Sequence, residues 1–202
     1  MGSARRHTKT VVAAIKAKML LGSAPGAHCL AGLSTPNAAI IRVMENLQLK
    51  QTPVMTTAML IRRPAAEVFE AFVYPEITRR FWFTRSTGQL EPGKHITWTW
   101  EMYNHSVEVN VKEIELNKRI LIEWGNYGSM TAVEWTFTPY ENDWTYVTIT
   151  NSGFTGDGDK VLRDALDSKG GFTWVLAGLK ALLEHNIELN AIVDAFPPGV
   201  EH

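Results

Sequence analysis

Between residues 95 and 151 apolar and polar positions alternate in five separate runs. In the first, Ile96, Trp98, Trp100 and Met102 fall on one side, and His95, Thr97, Thr99 and Glu101 on the other. Successive strand side chains point to opposite faces, so the run predicts a half-buried antiparallel strand. Burying a tryptophan removes roughly 150–250 Å² from water and gains on the order of 2–3 kcal/mol, so the tryptophans belong inside. Val107, Val109 and Val111 repeat the pattern, followed by Ile120, Ile122 and Trp124. Val133, Trp135 and Phe137 come next, then Thr145, Val147, Ile149 and Asn151. Turn signals at Asn104-His105, Asn117-Lys118, 125–128 and 139–143 separate the runs, which together predict a meander of at least five strands. Its dry face carries Trp98, Trp100, Trp124, Trp135 and Phe137.

Such a face needs a covering layer. Residues 159–167 predict a short helix that Gly170-Gly171 interrupts, followed by a longer one over 170–190. In the longer helix Phe172, Val175, Leu176, Leu179, Leu182 and Leu183 share one stripe at helical spacing. Trp174, Ala177, Gly178, Ala181 and His185 form a second stripe beside it. Its small residues either leave a space opposite the tryptophans or admit them in close contact. Upstream, 54–63 reads as a strand, and 64–73 as a helix opened by Pro64 with Val68, Phe69 and Phe72 on its apolar face. Pro75 begins another short helix, PEITRRFW, that ends in the cluster Phe81, Trp82 and Phe83.

The order of PAAEVFEAFV, RRFWF, GKHITWTWE, NKRILIEW, VEWTFTP, TYVTITNSGF and FTWVLAGLKALLE resembles proteins similar to the heat-shock protein 90 ATPase activator. These belong to the SRPBCC or START-like superfamily. The likeness runs from about residue 54 to 190; no single motif in it is diagnostic, and the order and spacing carry it. It implies an α+β helix-grip fold, a curved antiparallel sheet wrapped around a long C-terminal helix with a cavity between them. From the sheet, Trp98, Trp100, Trp124, Trp135 and Phe137 would line that cavity. The flanking segments would add Trp82, Asn151 and Phe154, and the helix Trp174 and Gly178.

Composition narrows the function. The chain has 202 residues and one cysteine, so one domain with an extension and no intrachain disulfide is expected. Residues 1–43 hold six Lys or Arg and no acid, leaving 14 basic against 21 acidic residues in the remainder. An acidic domain argues against nucleic acid, whose phosphates need basic charge. No apolar run reaches the roughly 20 residues of a membrane span. Residues 1–43 read as an N-terminal extension ahead of a domain over 44–202. They read as a disordered appendage or a misassigned start with Met44 as the natural one, or as a basic targeting leader.

Catalytic signals are scarce. The six histidines show no metal-ligand spacing, and GxSxG, P-loop and dinucleotide motifs are missing. GFTGDGD (153–159) departs from a calcium loop and lacks its terminal Glu. Asn151 stands at a strand end where related proteins often place His or Glu, and asparagine is no proton donor of that strength. His185 reads as an exposed helix-end residue or one reaching the cavity end. Tyr103, His105 and Tyr127 read as rim residues, and Glu101, Glu123 and Glu134 as solvated surface. The expectation is a cytoplasmic, non-catalytic module, monomeric or homodimeric, that holds a small hydrophobic or aromatic ligand without a cofactor or metal. Two alternatives stand beside it: a partner that modulates a heat-shock protein 90 type chaperone in the stress response, and a cyclase- or dehydratase-like enzyme.

Overall fold

The computed structural model describes residues 48–125 and 128–197. The expected extension over 1–43 and the rim residue Tyr127 lie outside them. Seven strands form one antiparallel sheet: β1 (Met55–Ile61), β2 (Arg85–Ser86), β3 (His95–Trp100), β4 (His105–Glu115), β5 (Arg119–Gly125), β6 (Thr131–Tyr140) and β7 (Trp144–Ser152). Its order is β1-β7-β6-β5-β4-β3-β2, so the meander runs from β2 to β7 and β1 returns to pair with β7, Met55 opposite Asn151. A register shift between Val111 and Glu113 marks a bulge that bends β4 against β5. Helices α1 (Ala65–Val73) and α2 (Pro75–Thr78) precede β2, while α3 (Gly158–His185) and α4 (Ala191–Asp194) follow β7.

The alternation reads the inner face correctly. Ile96, Trp98 and Trp100 are buried, as are Val107, Val109, Val111, Ile120, Ile122 and Trp124. So are Val133, Trp135, Phe137, Thr145, Val147, Ile149 and Asn151. The first run ends one position early. After Trp100 the backbone turns through a 3-10 segment closed by Asn104 at φ 47°, which leaves Met102 37% exposed rather than inside. β4 therefore starts at His105, which is buried beside Trp100 instead of sitting in a turn. β6 likewise runs through Pro139 to Tyr140, and the turn to β7 falls at Glu141–Asp143.

The helical layer differs more from expectation. Gly170-Gly171 does not interrupt it, and α3 is continuous over 28 residues. Val161, Ala165 and Ser168 before the glycines continue into Phe172, Val175, Leu176, Leu179 and Leu182 after them, one buried stripe at helical spacing. Burial of that stripe outweighs the cost of about 1 kcal/mol for each helical glycine. The Asp157 carboxylate caps the start by accepting from Lys160 N at 2.8 Å, which gives the GFTGDGD loop its role. α3 also shields the free edge of β1. Lys180 Nζ donates to Leu60 O at 2.9 Å, and Glu184 accepts from Arg62 N at 2.7 Å.

The helix expected from Pro75 is a single turn. Thr78 Oγ1 donates to Ala71 O at 2.7 Å, and the chain then leaves helical geometry, turning Phe81, Trp82 and Phe83 inward. A β-carbon added at Gly170 would meet open space. Gly170→Ala should therefore raise stability by about 0.5–1 kcal/mol, read as a higher urea midpoint at unchanged m-value.

Candidate functional site

Trp82 is the centre of the interior. Its ring lies 4.8 Å from Trp98, 6.2 Å from Trp100, 6.0 Å from Trp124 and 6.1 Å from Trp135, centroid to centroid. Phe172 of α3 closes the helix side at 5.7 Å, and Phe83 stacks on Trp98 at 4.9 Å. Offset and edge-on contacts at these distances add to the burial of each ring. The strands thus bring together Trp98, Trp100, Trp124 and Trp135, and the segment after α2 brings Trp82 to them.

The other expected lining residues are placed differently. Phe137 lies toward α1, 5.4 Å from Phe69 and 5.9 Å from Phe72. Phe154 is buried in the loop after β7. Trp174 is 37% exposed on the flank of α3, and its ring meets Phe196 at 6.4 Å. At Gly178 the small stripe makes close contact: an added β-carbon would lie 3.2 Å from both Cβ and O of Phe81. His185 is exposed at the helix end.

Asn151 is buried and bonded on both sides. Its Nδ2 donates to Ala132 O at 2.8 Å, and its Oδ1 accepts from Ser168 Oγ at 2.8 Å, tying β7 to β6 and α3. Three other buried polar atoms have no partner among the described residues: Trp100 Nε1, Trp135 Nε1 and His105 Nε2. Buried polar groups are nearly always bonded, so three orphans in one interior are a chemical signature. Trp100 and His105 face each other across β3 and β4, ring centroids 6.4 Å apart. Burial pushes the His105 imidazole down to about 4, which keeps it neutral near pH 7. The sequence pattern missed His105 because a histidine after asparagine signals a turn; its place two residues before Val107, in phase with the valines, was the available clue.

A recess of about 100 Å³ is bordered by Trp82. Arg79, Phe81, Met102, Gly178, Leu189 and Ile192 are among its walls, so Trp82 belongs to both the interior and the recess. The outer wall comes from α4, which the sequence reading did not anticipate. Tyr103 holds it by donating its hydroxyl proton to Ile192 O. Among the described residues no helix is long and apolar enough to cross a membrane, and no cluster of three His, Cys, Asp or Glu could hold a metal.

An antiparallel sheet gripping one long helix across an aromatic interior defines a START-like α+β domain, a small ligand-binding type of fold. Residues 62–184 match the family described as "Activator of Hsp90 ATPase homolog 1-like protein", and the chain belongs to that family. Protein SSP2350 of Staphylococcus saprophyticus is 32% identical, with a TM-score of 0.59 over 68% of this chain and 96% of that one. Two more distant structures share the fold. Protein MLL2253 of Mesorhizobium loti is 18% identical, TM-score 0.60, over 67% of this chain and 99% of its own. The Aha1 dimer of Colwellia psychrerythraea is 15% identical, TM-score 0.57, over 66% and 97%. No curated protein matches the chain.

Two substitutions test the geometry. Gly178→Leu should overpack against Phe81 and lower stability by about 1–3 kcal/mol in chemical denaturation. For His105, the unfolded chain takes up a proton near pH 6.5 while the folded one resists until about 4. Its contribution is therefore fully present above pH 6.5 and lost as pH falls toward 4, with a slope of up to about 1.4 kcal/mol per pH unit. His105→Gln should flatten the melting temperature between pH 6.5 and 4; identical pH profiles would place the acid sensitivity elsewhere.

Proposed function

We propose that this chain is a non-catalytic binding domain for a small aromatic molecule, held between the sheet and α3. The observation that carries the reading is the set of unpaired atoms Trp100 Nε1, Trp135 Nε1 and His105 Nε2 within an aromatic interior whose buried Asn151 and Ser168 are bonded to each other. Leaving a buried donor unmade costs about 1–3 kcal/mol, and a bound acceptor removes that cost. Small-molecule sites are mostly apolar and aromatic with a few placed polar groups, which is the composition here. Acid–base chemistry is poorly served: Asn151 carries no titratable proton, and a histidine held near 4 is a weak base at neutral pH.

The test is a titration of the full chain with coumarin, a flat bicyclic lactone, and with decanoate, a saturated chain. Coumarin should quench tryptophan fluorescence saturably and raise the melting temperature with concentration. Decanoate should do neither. No saturable response to coumarin would overturn the reading and move chaperone modulation, the role in the family's name, to the front. That second role would be read as a change in the ATPase rate of a heat-shock protein 90 type chaperone.

A further inference from the structure

Trp82 differs from its neighbours in origin. Trp98, Trp100, Trp124, Trp135 and Phe172 sit on β3, β5, β6 and α3. Trp82 alone reaches the centre of that ring from an irregular segment, Arg79–Thr84, between α2 and β2. The segment is hydrogen-bonded through its backbone at both ends, and Arg80 anchors it from outside by donating to Glu188 at 2.6 Å and to Asn186 Oδ1 at 3.0 Å. Phe81 N and Trp82 N donate to Thr78 O, at 3.1 and 2.9 Å. At the far end Thr84 N and Thr84 Oγ1 both donate to Thr99 O, and Glu101 N donates to Thr84 Oγ1. Trp82 also borders the recess, together with Arg79, Met102 and Ile192.

The indole also serves its surroundings poorly. Trp100 and Trp135 each lie about one ring contact from it, yet both of their N–H groups are unpaired. A tryptophan ring offers no acceptor lone pair. A flat ring system of the same size with a carbonyl or ring oxygen would make the same aromatic contacts and take those protons as well.

We propose that Trp82 is an internal stand-in for the ligand, displaced into the recess when a flat bicyclic aromatic molecule carrying a hydrogen-bond acceptor enters the cage of Trp98, Trp100, Trp124, Trp135 and Phe172. This rests on the binding reading above and deepens it by naming the ligand's shape, its one required polar feature and the residue that gates it. Because displacement consumes part of the binding energy, affinity in the native chain is lower than the cage allows.

The experiment compares coumarin with naphthalene, which has the same two-ring outline and no acceptor, on the full chain and on Trp82→Ala and Trp82→Phe. Calorimetric Kd for coumarin should fall at least tenfold in Trp82→Ala, and naphthalene should bind every form more weakly than coumarin. Hydrogen exchange gives a second reading that needs no variant. Ligands ordinarily slow exchange, whereas displacement should speed it in residues 79–84 at saturating coumarin while β3 and β6 slow. Should Trp82→Ala fail to fold, Trp82→Phe and the exchange pattern decide the matter. Equal coumarin affinity in native and variant chains, or slowed exchange over 79–84, would overturn the stand-in and leave the binding reading intact. Binding by Trp82→Ala with none by the native chain would show a fixed core residue and overturn displacement, and with it the binding reading for the native chain. Loss of coumarin binding in all forms would overturn both readings.

Discussion

One helix cannot by itself fill the inner face of a seven-stranded sheet, and most of this structure answers that mismatch. α3 presents a single buried stripe, whereas the sheet offers inward positions on at least five strands. The volume left over is taken by large rings. Tryptophans project from β3, β5 and β6, and α1 supplies Phe69 and Phe72 at one end. Close packing is required of any interior, so rings that make several contacts each are an economical way to reach it. Trp82 completes the arrangement from outside the regular elements, touching rings on the sheet and on α3 together.

The same constraint explains the polar features. The sheet is held to α3 at three polar points: Asn151 with Ser168 in the interior, Thr57 with Thr173, and, at the β1 end, Lys180 with Leu60 O and Glu184 with Arg62 N. All three are satisfied, and the two involving β1 and Arg62 connect segments more than a hundred residues apart. The unsatisfied atoms lie on β3, β4 and β6: two are on tryptophans whose N–H groups find no acceptor among other rings, and the third is on His105. A fold that fills itself with indoles accumulates donors it cannot pair. In a START-like domain that chemical asymmetry is also what a ligand with an acceptor would exploit.

Much of this was legible along the chain. The inward residues of β3 to β7 follow from alternation, because strand side chains have a period of two whatever they face. The buried stripe of the second half of α3 follows from helical spacing for the same reason. The resemblance to the activator family supplied the grip arrangement, which the seven-stranded sheet packed on the long α3 bears out. Legibility failed where the outcome was a balance between local preference and burial. Gly170-Gly171 favours a break, and the buried stripe on both sides overrides it. Asn104-His105 favours a turn, and the turn is there, but the histidine belongs to the next strand.

The sequence by itself determined most of which side chains face inward, Met102 and His105 excepted, that the sheet is antiparallel, and that an amphipathic helix covers it. These are properties of short periods in residue type, and no distant partner can change them. The tertiary structure alone decided what the inward side chains meet. It paired β1 with β7, closed the Gly178 stripe on Phe81, moved Trp174 to the flank, and set Trp82 at the centre with His105 buried nearby. Those outcomes depend on volumes contributed by segments scores of residues apart, and volume in a close-packed interior is shared among all of them at once.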